Sequence, residues 1–192
     1  MKTFKIKLIL LVLLTAMAVR AGASQKYSVS GQPSQIGYYV EHTVGFSSGQ
    51  FMGFEGTILL SNDQKSLESV DVTIDADSLS TYNAEREKGL KGEDFLNVEN
   101  YPQIMIKSKK ITKDKITADV TVRGKTKEIV FDYGYYGVRM EEGSEMTMVA
   151  MKGSIDRRDF GVDYNVKSEK TGKDMLGTEF EITLYLNGTL AK

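Results

Sequence analysis

Apolar residues recur at every second position through most of this chain. In residues 116–122, for example, four apolar side chains are separated by Thr117, Asp119 and Thr121. Successive side chains of a β-strand point to opposite faces, so a period of two indicates strands with one buried face. We predict an all-β protein with a strand in each of eight segments: 36–46, 54–60, 70–74, 104–106, 116–122, 129–135, 146–150 and 180–186.

Short polar or glycine-containing links join these segments, as at 61–63, 113–114, 123–125 and 142–144. Links of this length connect antiparallel neighbours, because parallel strands would need a crossover helix at each step. Eight antiparallel strands favour a closed barrel, since closure removes exposed edges. A two-sheet sandwich is the alternative. A barrel of this size either holds one elongated ligand or is filled by its own side chains.

One segment, residues 83–104 (NAEREKGLKGEDFLNVENYPQI), interrupts the alternation. Asn83 is a suitable N-cap, and acidic residues follow it in the first turn, where the helix dipole favours them. Gly89 and Gly92 predict a short helix, and Asp94 is expected to cap a second turn. We expect this helical insertion to cover an open barrel end with an apolar underside made of Leu90, Phe95 and Leu96.

Residues 1–23 have the features of a secretory signal peptide. Three lysines precede an apolar run at 8–14, and Ala21-Gly22-Ala23 provides a small-residue cleavage motif. The run is shorter than the roughly 18 residues that span a bilayer, which disfavours a membrane anchor. We expect cleavage near Ala23, export, and a single mature domain at 24–192 without a lasting anchor.

Charge and composition exclude several functions. Four of the 25 basic residues and none of the 26 acidic ones lie in 1–23, which leaves the mature domain with a formal charge of −5. An acidic domain of mixed signs does not predict nucleic-acid binding. The chain has no cysteine and one histidine, His42. We therefore expect no metal site and no catalytic residue, and a hydrolase lacks its nucleophile–His–acid pattern.

Four segments resemble the YceI-like family of periplasmic lipid- and polyisoprenoid-binding proteins. They are DADSLSTYNAEREKGLKGEDFLNVENYPQI, EHTVGFSSGQFMGFEGTI, ADVTVRGKTKEIVFDYGYYG and GSIDRRDFGVDYN. The most specific stretch is 86–102, and the resemblance extends over the whole mature chain. It implies a lipocalin-like eight-stranded antiparallel β-barrel with a short helical insertion, a long apolar pocket, a periplasmic location and no catalysis. Many members carry His where this chain has Gly89, so any role of that His is missing here.

The resemblance turns the aromatic residues and their neighbours into candidates for a ligand pocket. The predicted ligand-binding residues are Tyr38, His42, Phe46, Phe51, Phe54, Arg86, Leu90, Phe95, Tyr101, Ile104 and Phe160. An adaptable lining is expected from four methionines: Met140, Met146, Met148 and Met151.

Each of three polar features in the sequence has two possible roles. His42 is either a core histidine with a hydrogen-bond partner or a polar group near the ligand head. Arg86 meets a polar head group or forms an ion pair with Asp75, Asp77 or Asp94. The sequence DRRDFG at 156–161 is interpreted as a salt-bridged turn rather than an acid–base pair.

The function predicted from these observations is binding without catalysis. A secreted or periplasmic barrel would sequester or carry a hydrophobic isoprenoid-type lipid, with no cofactor apart from a bound polyisoprenoid or quinone-type lipid. A homodimer is an allowed assembly. The alternative is a structural or stress-response barrel whose core is filled by side chains.

Overall fold

The computed structural model describes residues 24–191, so the predicted signal peptide lies outside the described residues. Within this range the chain forms eleven strands, one α-helix and two 3-10 turns. The strands are β1 Gln25–Ser30, β2 Gln35–His42, β3 Gly45–Phe51, β4 Phe54–Leu60, β5 Leu67–Asp75, β6 Leu79–Ser80, β7 Gln103–Ile111, β8 Lys115–Val122, β9 Lys125–Glu141, β10 Ser144–Asp156 and β11 Glu179–Leu190. The helix α1 is Ala84–Lys91, and the 3-10 turns are Ala76–Ser78 and Arg157–Phe160. None of the helices in this range is long and apolar enough to cross a membrane.

The sheet closes on itself. Its order is β1, β4, β5, β7, β8, β9, β10 and β11, and β11 pairs back onto β1, with Leu190 opposite Tyr27. All of these pairings are antiparallel. The eight-stranded barrel is therefore confirmed, and the sandwich alternative is wrong.

Two of the barrel strands are each built from two shorter strands. β2 continues β1 along the same edge of β11, where Phe180 faces Val40. β3 pairs with β2, and β4 pairs with β1. The breaks at 31–34 and 52–53 therefore bend these two strands without changing the number of strands around the barrel.

The barrel interior follows the alternation in the sequence. In β8, Ile116, Ala118, Val120 and Val122 are all buried. Burying a Val or Ile side chain completely stabilises a fold by about 1.5–3 kcal/mol. A continuous core of such residues from β1, β4, β5, β7, β8, β10 and β11 therefore holds the barrel together.

The predicted strand 36–46 is in fact a hairpin. β2 ends at His42, the chain turns at 43–44, and β3 returns with Phe46 opposite Glu41. Directly opposed residues share a face of the sheet, and Glu41 points outward. The inward position predicted for Phe46 is wrong, because its ring is 64% exposed and stacks on Tyr39 at a centroid distance of 5.4 Å.

The predicted strand 146–150 lies within the longer β10. Thr147, Val149 and Met151 are buried, whereas Met146 and Met148 belong to the other face. Both faces of this strand are apolar, so the sequence pattern does not determine which one faces the core. The pairing does, because Val149 lies opposite the buried Leu186.

The helix α1 is attached to the barrel by polar contacts. Asn83 is the predicted N-cap, and its Oδ1 accepts a hydrogen bond from the Arg86 N–H at 2.9 Å. The Glu87 carboxylate accepts one from the Thr81 N–H at 2.6 Å, and Lys91 pairs with Asp77 at 3.2 Å. No residue of α1 is fully buried.

The turn after α1 brings apolar side chains to the barrel. The Leu96 N–H donates to the Leu90 carbonyl at 2.9 Å, and the Val98 N–H donates to that of Lys91 at 3.1 Å. The helix carbonyls thus organise this turn, and the cap predicted at Asp94 is wrong. We call residues 84–98 the roof of the barrel.

The opposite end of the barrel is filled. The Tyr27 hydroxyl donates to the Glu145 carboxylate, and the Gln64 amide donates to the same carboxylate at 2.7 Å. The Tyr135 hydroxyl donates to the Gln64 carbonyl at 2.6 Å. Burial raises the pKa of Tyr27, and its bond to Glu145 adds to this shift. This network closes the end of the barrel away from the roof.

Candidate functional site

An apolar cavity of about 110 Å³ lies inside the barrel beneath the roof. Leu90, Phe95 and Leu96 border it from the roof. Its wall comes from inward side chains of β2, β7, β8, β9 and β11, including Ile36, Ile106, Val120, Phe131 and Ile182. Two polar residues, Tyr38 and Arg157, also line it. Such a mostly apolar pocket with few polar groups is typical of small-molecule sites.

A second space of about 200 Å³ continues from the cavity, and we call it the mouth. The two spaces share five lining residues: Tyr38, Leu90, Phe95, Arg157 and Phe180. The mouth adds polar groups that the cavity lacks, among them His42, Ser47 and Arg86. The site therefore has an apolar interior and a polar entrance.

Tyr38 connects the cavity with the mouth. The residue is 8% exposed, and its ring packs against Phe180 at a centroid distance of 5.5 Å. Its buried hydroxyl has no hydrogen-bond partner among the described residues. Burial raises the pKa of Tyr38, and the positive charge of Arg86 opposes this shift. An unpartnered buried hydroxyl is rare in folded proteins and marks a place for a ligand or water.

His42 stands at the end of β2 and is half-buried. Its Nδ1 atom accepts a hydrogen bond from the Gly177 N–H at 3.0 Å. Burial lowers the pKa of His42, and the charges of Arg86 and Arg157 lower it further. A neutral imidazole that accepts at Nδ1 carries its proton on Nε2, which remains a donor. His42 thus has the hydrogen-bond partner expected of a core histidine and also lies at the mouth.

Arg157 is a buried cation that the sequence analysis missed. It is 5% exposed, and its Nε donates to the Gly177 carbonyl at 2.9 Å while Nη1 donates to that of Val162. It forms no ion pair with another residue of 24–191. The salt-bridged turn predicted at 156–161 is confirmed for the adjacent residue Arg158. Its Nε atom lies 2.9 Å from Asp156 Oδ1.

Gly177 holds one side of the mouth together. Its N–H binds His42 and its carbonyl binds Arg157. A Cβ atom placed on Gly177 would lie 1.8 Å from the Glu41 carbonyl oxygen. The close approach of this loop to β2 therefore requires glycine.

Arg86 lies on the exposed side of α1 and borders the mouth. Lys91, rather than Arg86, occupies the ion pair with Asp77. Arg86 forms no ion pair within the described part of the chain. The alternative of a helix-to-barrel ion pair through Arg86 is therefore wrong.

The structure brings together eight of the predicted site residues. Six line the cavity: Tyr38, Phe51, Leu90, Phe95, Ile104 and Phe160. His42 and Arg86 border the mouth. Whether these residues bind a ligand stays a prediction.

Three predicted site residues lie elsewhere. Phe46 is on the outer face, for the reason given above. Phe54 lies opposite Ile74 and packs into the main core without bordering either space. Tyr101 is exposed, and its ring lies beside Gly124, in the turn between β8 and β9. The methionine lining is wrong as well, because none of the four predicted methionines borders the cavity or the mouth.

Several lining residues were not singled out from the sequence. Phe131 and Phe180 lie at alternating apolar positions of the predicted strands 129–135 and 180–186, so this pattern could have identified them. Arg157 and Gly177 gave no local signal, because their roles depend on contacts between distant segments. Across 24–191, no three His, Cys, Asp or Glu side chains are grouped as a metal site requires.

Comparisons with known proteins agree with the barrel. A family model described as the YceI-like domain matches residues 27–187. A UPF0312 protein of Staphylococcus aureus is 32% identical over 160 residues, which is 80% of this chain and 91% of that protein.

Solved structures have the same fold. A crystal structure of a YceI protein from Campylobacter jejuni is similar with a TM-score of 0.61 and 25% identity, over 75% of this chain and 85% of that one. A polyisoprenoid binding domain from Saccharophagus degradans, implicated in plant cell wall breakdown, has a TM-score of 0.61. That match covers 86% of this chain and 98% of that one, and its 13% identity shows a shared fold alone.

Proposed function

This chain belongs to the YceI-like family, and from that membership and the cavity we propose that it is a periplasmic lipid-binding protein. It holds the isoprenoid tail of a lipid inside the barrel and leaves the head at the mouth. The role is sequestration or transport without catalysis. The observation that carries the proposal is the apolar cavity that opens to a polar mouth between Tyr38, Phe95 and Arg157.

The energetics favour a ligand with several isoprene units. Burying one methylene group contributes about 0.8 kcal/mol, so a five-carbon unit contributes about 4 kcal/mol. Association costs about 4–15 kcal/mol in lost translational and rotational freedom. One unit barely offsets this cost, whereas three or four units exceed most of the range. Long prenyl chains therefore bind through apolar contacts with few polar ones.

The roof moves in this proposal when lipid enters. The cavity of about 110 Å³ is small for a tail of several isoprene units. The tail gains room by extending through the mouth and by displacing the roof, whose apolar side chains Leu90, Phe95 and Leu96 are only half-buried.

A cavity-filling variant tests the proposal. Val120 is 4% exposed and lines the cavity, whereas Val130 is 54% exposed on the outside of β9. Binding of the prenyl alcohol geranylgeraniol is measured by displacement of a fluorescent apolar dye. We expect Val120→Phe to weaken binding at least about tenfold, or about 1.4 kcal/mol. Val130→Phe makes the same chemical change outside the barrel and serves as the control.

The alternative function gives a different result. A barrel filled by its own side chains would bind neither the dye nor the alcohol in the wild-type protein, and that outcome would refute the proposal. Thermal melting of both variants separates lost binding from lost folding, because overpacking a core costs about 1–3 kcal/mol.

A further inference from the structure

We propose that the mouth selects a lipid with a carboxylate head, bound by the Tyr38 hydroxyl and the guanidinium groups of Arg157 and Arg86. This inference rests on the proposed function, since it names the head of the same ligand. It is carried by hydrogen-bond donors that lack acceptors and by charges that lack partners.

The first observation is the Tyr38 hydroxyl. It is buried where the cavity meets the mouth and has no partner among residues 24–191. A hydroxyl can donate or accept, so a polar head of any kind would satisfy it. Tyr38 therefore places a polar group of the ligand where the cavity meets the mouth, but it does not define the charge of that group.

The second observation is the charge around the mouth. Arg157 and Arg86 border it, and no Asp or Glu lines either the mouth or the cavity. Neither arginine forms an ion pair within the described residues. A buried cation is normally paired, so Arg157 calls for an anion. A neutral head would leave this charge uncompensated, and a cationic head would be repelled.

Three acidic side chains near the mouth have other partners. Glu87 is bound by the Thr81 N–H at 2.6 Å and by the Ser80 hydroxyl at 3.1 Å. Asp156 is bound by Arg158, and Asp77 pairs with Lys91. These three carboxylates are thus engaged in the fold. Asp163 and Asp174 also act electrostatically on Arg157, but neither forms an ion pair with it. Both arginines of the mouth are therefore open to a ligand.

His42 adds a third kind of donor. Its Nδ1 is occupied by the Gly177 N–H, so a neutral His42 presents Nε2–H. His42, Arg86 and Arg157 all line the mouth, and both arginines lower the pKa of His42. Tyrosine, histidine and arginine donors together form a site for oxygen atoms that carry negative charge.

The number of buried charges favours a carboxylate over a phosphate. Arg157 is the buried cation, and Arg86 is exposed to solvent. A carboxylate carries one negative charge, whereas a phosphate monoester carries about 1.5 to 2 at neutral pH. One buried guanidinium balances a carboxylate and leaves a phosphate undercompensated.

The test compares heads on one tail. The purified full-length mature protein is titrated with geranylgeranoic acid, geranylgeraniol, geranylgeranylamine and geranylgeranyl phosphate by dye displacement, below their aggregation concentrations. We expect the acid to bind at least about tenfold tighter than the alcohol, the effect of one charged hydrogen bond. The amine should bind more weakly than the alcohol, and the phosphate no more tightly than the acid.

Variants assign the preference to residues. Tyr38→Phe removes only the hydroxyl, and Arg86→Gln removes an exposed charge, so both are expected to fold. Arg86→Gln should reduce the ratio of acid to alcohol affinity about threefold to tenfold, whereas Tyr38→Phe should weaken the binding of both ligands. Arg158→Gln, whose arginine borders neither space, should leave the ratio unchanged. Arg157→Met should abolish the preference, with circular dichroism as the check on folding.

The outcomes separate the two proposals. Equal affinities for acid and alcohol would overturn the carboxylate head while the lipid-binding function stands. Tighter binding of the phosphate would overturn the choice of carboxylate. Failure of every prenyl compound to bind would refute the proposed function itself.

Discussion

The Nδ1 atom of His42 accepts a hydrogen bond at 3.0 Å from the backbone N–H of Gly177. This bond joins the end of β2 to the loop that precedes β11, although 135 positions separate the two residues. The Gly177 carbonyl binds Arg157 in turn. A chain of two hydrogen bonds therefore sets the distance between β2, the loop and the buried cation.

The burial of His42 beside Arg86 and Arg157 predicts a pH dependence of stability. The pKa of His42 is lowered in the folded state, so the unfolded chain binds a proton first as the pH falls. The stabilisation is complete above the ordinary pKa of about 6.5 and is lost progressively as the pH falls from there towards the folded-state pKa. Urea denaturation of wild type and His42→Gln at a series of pH values measures this change in the free energy of unfolding.

The variant should lack this component of the pH dependence. The lowered pKa of Asp156 acts only in a separate window, below its ordinary value of 3.8. An identical decline in both proteins between neutral pH and about pH 5 would contradict the assignment to His42.

A second prediction concerns Gly177. A methyl group there collides with the Glu41 carbonyl, so Gly177→Ala must displace the loop and weaken the bonds to His42 and Arg157. We expect a loss of about 1–3 kcal/mol in the free energy of unfolding. Gly89→Ala is the matched control, since that Cβ meets no atom within 4 Å and lies in a helix. It should stabilise the protein by about 0.5–1 kcal/mol. Equal stability of Gly177→Ala and wild type would show that the loop does not depend on this contact.

A third prediction concerns the roof. Residues 84–98 make few ladder hydrogen bonds and contain no fully buried side chain, so they should open more easily than the strands. Hydrogen exchange with and without geranylgeraniol measures this difference. Amides at 86–96 should gain protection with ligand, while those of β8 should change little. Equal protection in both states would mean that the roof is a fixed plug.

The sequence predicted the barrel because most strands have one apolar face. The prediction was incomplete where a strand does not have one apolar and one polar face. β10 is apolar on both faces, so the sequence did not determine whether Met148 or Val149 faces the core. The hairpin turn at 43–44 contains no proline or glycine, and Phe46 was therefore assigned to the strand before it.

The candidate site was only partly predictable for a different reason. Leu90 and Phe95 were found because an apolar side chain in a charged insertion needs a place to be buried. Arg157 was interpreted together with Arg158 as part of one salt-bridged turn, although Arg158 pairs with Asp156 and Arg157 is buried. Two adjacent arginines look alike in a sequence, and only the tertiary packing distinguishes them.

A fourth prediction concerns export. The basic start, the short apolar run and the Ala21-Gly22-Ala23 motif predict cleavage near Ala23. N-terminal sequencing of the protein from the periplasmic fraction should therefore begin at or near Ser24. An intact Met1 terminus in a membrane fraction would instead support an uncleaved anchor.

The central claim is that the barrel interior holds an isoprenoid-type lipid, and mass spectrometry of organic extracts from the purified exported protein tests it most directly. Wild type and Val120→Phe are purified in parallel, because the second protein has its cavity filled at a buried position. We predict that the wild-type extract contains a prenyl lipid in near-stoichiometric amount and that the Val120→Phe extract contains much less. Wild-type extracts that repeatedly hold no more lipid than those of Val120→Phe would contradict the account.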